Sequence, residues 1–84
     1  MSFRILIDME VMEFSERLPK RIRDTIKIAI RSIHSDPQGQ SDAEDYDEIG
    51  RLLNIKIVGE FALTYWIDHS DKQIKILDIH SADR

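Results

Sequence analysis

Ile22, Ile26, Ala29, Ile30 and Ile33 fall on one narrow arc when successive residues are rotated by about 100°, the turn of an α-helix. A chain with that stripe must build a helix and find it an apolar surface to lie on. Pro19 suits the first turn, where a proline has no helical hydrogen bond to lose, and Asp36-Pro37-Gln38-Gly39 ends the run. The other face carries Lys20, Arg23, Lys27 and Arg31, with Ile28 off the stripe. Ahead of it, Val11, Phe14 and Leu18 recur at helical spacing until Leu18-Pro19 breaks the pattern, so a shorter helix precedes the long one. The two should form a hairpin.

Around these helices the period changes to two. Phe3, Ile5 and Ile7 read as a short strand, with Asp8 placed to cap the first helix. Residues 36–48 hold six acids and no base, which reads as a loop. After Gly50, Leu53, Ile55 and Ile57 alternate, and past Gly59-Glu60 so do Phe61, Leu63, Tyr65 and Ile67. Parity then sets the turn: two residues would pair Val58 with Phe61 and split the apolar sets between opposite faces, whereas three would pair Ile57 with Phe61 and unite them. A three-residue loop with a bulge is therefore expected. Ile74 to Ile79 is apolar on both alternations, as in a strand covered on both sides.

The resulting order is β-α-α-β-β-β, an α+β domain with a helix hairpin packed on one face of a four-stranded, mostly antiparallel sheet. The opposite face would carry Leu52, Asn54, Lys56, Ala62, Thr64 and Trp66, uncovered by any helix and the first place to seek a site.

At 84 residues there is room for one domain, spanning 1–84. The absence of cysteine removes disulfide frameworks, thiolate metal sites and thiol nucleophiles. Twelve basic against sixteen acidic residues give a net charge of −4, the wrong overall sign for non-specific nucleic-acid binding. With no apolar run near the roughly 18 residues of a membrane span and no signal-peptide core, the expected address is the cytoplasm, with no membrane partner. No His-x-x-His pair, calcium loop, phosphate loop or serine elbow occurs, so neither a metal nor another cofactor is expected.

Three stretches, Glu16-Arg17-Leu18-Pro19-Lys20-Arg21-Ile22-Arg23, Asp36-Pro37-Gln38-Gly39 and Asn54 through Tyr65, resemble in order and content the RelE/ParE toxin superfamily, and the resemblance runs along nearly the whole chain. It implies the toxin-like component of a type II toxin–antitoxin system, silenced by a cognate antitoxin protein, with ribosome-dependent cleavage of messenger RNA as its activity. That reaction places cations around a phosphorane and a proton carrier on either side of it. The family draws its cations from positions that match Asn54, Lys56 and Ala62, and from the C-terminal end. The resemblance thus assigns phosphate contacts to Lys56 and Arg84 and proton transfer to His80. Ala62 stands where active members commonly place an arginine, which implies a weakened or lost site. The alternatives are a non-catalytic scaffold that binds an antitoxin-like peptide or itself as a homodimer, and a gyrase inhibitor like the ParE branch.

Each candidate also has an ordinary structural reading. Lys56 discourages edge pairing on a strand, His80 solvates a terminus beside Asp78 and Asp83, and Lys20, Arg23, Lys27 and Arg31 form a solvated helix face as readily as an RNA or partner surface. Trp66 is more telling. An indole on an uncovered sheet is either a stacking platform for bases or the anchor of a protein interface, and the methyl of Ala62 beside it favours the interface.

Overall fold

The computed structural model describes residues 3–82. Its elements are β1 (Arg4–Ile7), α1 (Met9–Glu16), α2 (Lys20–Ser35), β2 (Ala43–Tyr46), β3 (Leu52–Val58), β4 (Phe61–Asp68) and β5 (Gln73–Ser81). The strands form one sheet in the order β1-β5-β4-β3-β2, parallel between β1 and β5 and antiparallel elsewhere. The sheet has five strands rather than the expected four. The addition is β2, drawn from the acidic stretch read as a loop: all four of its residues are exposed, so no alternation marks it. Hydrogen bonds to β3 hold it there, from the Asp42 amide to the Ile55 carbonyl at 2.7 Å and from the Ile57 amide to Asp42 Oδ2 at 2.8 Å. Asp47 closes the following loop by accepting the Ile49 and Arg51 amides at 3.0 and 2.8 Å. Burial pushes its carboxyl upward, but these bonds and the Arg51 guanidinium outweigh that and hold it below the usual carboxylate range.

The helices begin where their caps predict. The Asp8 side chain accepts the Glu10 amide at 2.9 Å, and Pro19 immediately precedes α2. Both helices lie on one face of the sheet. Val11 of α1 and Ile26, Ala29 and Ile33 of α2 meet Val58, Leu63, Tyr65, Ile67, Ile74, Ile76 and Ile79 in a single core. Each large aliphatic side chain buried there is worth roughly 1.5–3 kcal/mol. Partly buried Ile22 and Ile30 complete the stripe on α2, while Ile28 is exposed, as its position off the arc requires. Among the described residues no helix is long and apolar enough to cross a membrane.

Two registers depart from expectation. The β3–β4 turn has two residues, with Val58 opposite Phe61 and Ile57 opposite Ala62. Gly59 takes φ +60° while Glu60 stays at negative φ, the signature of a type II′ hairpin turn that suits strand twist. Val58 is thereby buried opposite Phe61, whose ring meets Phe14 edge-on at 5.9 Å. On β5 a bulge at the Thr64/Tyr65 step leaves Leu77 without an opposite partner. Ile76 and Ile79, three apart, can therefore both point into the core. That bulge, and not cover on both sides, accounts for the apolar run.

Candidate functional site

Directly opposed residues of an antiparallel ladder share a face, so the register sorts every candidate. On the face away from the helices, Ile57, Ala62 and His80 form one row, and Ile55, Thr64 and Asp78 the next. Trp66 lies opposite Lys75, which itself lies beside Leu6. No helix covers this surface. Ile57 is 47% exposed and Leu6 42%.

The two-residue turn moves Asn54 and Lys56 off this surface. Expected beside Trp66, they share the helix-packed face instead, Asn54 opposite Tyr65 and Lys56 opposite Leu63. Asn54 is buried and Lys56 half-buried. Leu53, Ile55 and Ile57, expected in the core, lie on the open face. The three aliphatic residues had decided the parity, yet the turn's backbone preference and the burial of Val58 against Phe61 prevail.

His80 and Asp78 do come together. His80 Nδ1 lies 2.8 Å from Asp78 Oδ2, both side chains more than half exposed, which fixes the imidazole tautomer with Nε2 free toward solvent. The pair sits next to Ala62, whose methyl offers nothing to a developing negative charge. Arg84 lies outside the described residues. Lys56 and His80 are therefore on opposite sides of the sheet, and no cation of β3 faces the imidazole from the position expected.

The open face does carry cations, two residues that sequence reasoning passed over. Arg51 places its guanidinium 4.6 Å from the Trp66 ring centroid, and Lys75 places its ammonium 5.0 Å from it. Lys75 is also 3.7 Å from Asp68 and Arg51 2.5 Å from Asp47. Trp66 is thus a half-buried ring braced by two paired cations. Their signal in the sequence was faint: Arg51 precedes the strand and Lys75 alternates within an apolar run.

The basic stripe of α2 divides. Lys20 pairs with Asp24 at 2.7 Å, and that bond chiefly holds the Asp24 carboxyl below its ordinary range. Arg23 donates to the Leu18 carbonyl at 3.2 Å, bracing the bend between the helices. Lys27 and Arg31 are exposed. Arg23 and Lys27 border a groove of about 360 Å³ floored by Val11, Met12, Ile26 and Ile30.

No family model matches this sequence, and no curated protein matches it significantly. Its backbone does have counterparts. The archaeal RelE–RelB complex from Pyrococcus horikoshii OT3 contains a chain that superposes with TM-score 0.83 at 22% identity, over 100% of this chain and 99% of that one. The toxin–antitoxin complex RelBE2 from Mycobacterium tuberculosis gives 0.77 at 17%, over 96% and 99%. A mutant of the E. coli toxin RelE in its free state gives 0.74 at 12%, over 99% and 86%. From first strand to last, the chain has the RelE fold.

Proposed function

We propose that this chain is the toxin-like component of a type II toxin–antitoxin pair, bound by a cognate antitoxin protein, with the nuclease site of such toxins weakened or lost. The observation that carries this reading is the agreement in fold along the whole chain with proteins solved as toxin–antitoxin complexes. The uncovered apolar surface around Ile57 and Trp66 supports a partner, because monomers seldom leave contiguous apolar area bare. Ala62 beside His80, with Lys56 across the sheet, supports the loss of phosphate chemistry.

The second reading, ribosome-dependent cleavage of messenger RNA, draws on the His80–Asp78 pair. In it His80 shuttles the proton while Lys56 and Arg84 steady the phosphate. Expression without an antitoxin separates the two. The expected result is unimpaired growth with intact transcripts, together with a stable complex when a short reading frame adjoining the gene is co-expressed. Growth arrest with cleaved messages would put the nuclease first; DNA damage with intact messages would point to gyrase. In the complex, Trp66→Ala should weaken association at least tenfold, as removal of a central aromatic anchor does, while Ala62→Arg should leave it formed.

A further inference from the structure

The sheet has one edge that its own strands leave unfinished. β1 pairs with β5 from Gln73 to Ile76 and no further, and the Asp8 amide donates to the Ile76 carbonyl at 3.0 Å just before α1 begins. β5 runs on to Ser81 beside β4, and the bulge that takes up Leu77 falls where β1 stops. Among the described residues, Leu77 to His80 therefore have a strand on the β4 side alone. An open strand edge presents main-chain donors and acceptors to any extended chain that can reach them. The opposite edge, β2, consists of four exposed residues, two of them acids, the usual defence against such pairing. The open half of β5 instead borders a groove of about 370 Å³, walled by Val11 and Phe14 of α1.

The side chains around the groove decide what kind of chain fits. Successive residues of an added strand point to opposite faces of a sheet. Those turned toward α1 would lie over Val11 and Phe14, with Glu10 and Glu13 exposed at the rim, and those turned the other way would come beside Asp78. Three acids against one base, Arg17, make the groove negative, and among the described residues neither Glu10 nor Glu13 has an ion pair. Asp78 already holds His80 at 2.8 Å, so the two glutamates carry the selection. A lysine or arginine suits that wall, because its aliphatic stem covers Val11 and Phe14 while its charged end reaches the carboxylates. A second copy of this chain does not, since pairing edge to edge would set Glu10, Glu13 and Asp78 against their own duplicates. We propose that the open half of β5 accepts an extended, basic segment of a protein partner as an added strand. The site lies beyond the toxin–antitoxin reading and does not need it: the groove is lined by neither Ile57 nor Trp66, and a free peptide probes it directly.

The test is an NMR titration of the full chain with an end-blocked hexapeptide alternating lysine and valine. Two controls run beside it: the same peptide with glutamate for lysine, and an ester-linked form that keeps the side chains but lacks the main-chain N–H donors. Saturable binding of the lysine peptide is expected, and the amides between Leu77 and His80 that exchange fast in the free chain should become protected. The ester form should bind at least tenfold more weakly, and the glutamate form should not saturate. Glu10 and Glu13 are exposed on α1, so Glu10→Gln combined with Glu13→Gln should fold normally and weaken the lysine peptide about tenfold. Failure to saturate, protection confined to other strands, equal affinity for either control, unchanged affinity in the double variant, or pairing of two copies through β5 would each overturn the proposal. Any of these would leave the toxin–antitoxin reading standing; failure to form a complex with a co-expressed antitoxin would strike only that reading.

Discussion

Tyr65 shows how much one side chain settles. It is buried at the centre of the sheet, and its hydroxyl donates to the Pro37 carbonyl, tying the loop after α2 to β4. Burial pushes its phenol up to about 12; a hydrogen bond with Ser41 opposes the rise, and the carboxylates of Asp42 and Asp36 add to it. The folded state thus keeps a proton that the unfolded chain gives up near pH 10, so the associated stability is intact below that and drains away as the pH climbs toward 12. Tyr65→Phe should cost about 1 kcal/mol at neutral pH, the worth of a typical hydrogen bond, and remove the alkaline loss attributable to this group; urea unfolding followed from pH 8 to 12 checks both. Residue identities alone pointed to Tyr65 as core and to His80 beside Asp78. They gave no hint that Asn54 would be buried on the helix-packed face, because that depends on which way β3 faces.

At the scale of elements, legibility tracked the strength of the local signal. Both helices were readable from caps, stripe and the Leu18-Pro19 break, since these features act over a few residues. The β3–β4 hairpin was not: Leu53, Ile55 and Ile57 argued for one register, and the backbone preference of Gly59 enforced the other. An isolated glycine before a glutamate in a turn is the II′ signature, and that clue in the sequence was outweighed by counting aliphatics. The turn can be tested. A Cβ at residue 59 meets nothing within 4 Å, so any cost of Gly59→Val comes from φ +60° rather than crowding. A loss of roughly 1–2 kcal/mol is expected in thermal or urea unfolding, the usual cost of left-handed backbone for a substituted residue. No loss would mean that the turn does not need its glycine. β2 escaped notice for a different reason, because a wholly exposed edge strand has no inward face to impose alternation.

For the molecule as a whole, the central expectation of helices on one side and a bare reverse holds, although the residues lining that reverse have changed. It is more aliphatic than the sequence suggested, because Ile55 and Ile57 take the places expected for Asn54 and Lys56. Ile57→Lys should therefore leave stability within about 0.5 kcal/mol, since the side chain is already half in solvent, yet greatly weaken the proposed antitoxin complex measured by calorimetry. A marked fall in stability instead would mean that Ile57 belongs to the fold. The parallel pairing of β1 with β5 has a bearing on synthesis. Among the described residues β1 pairs with β5 alone, four strands later in the chain, so this edge of the sheet cannot form until β5 has been translated. Until then Ile5 and Ile7 have no ladder to join, so this edge of the core stays open to solvent up to the moment β5 pairs.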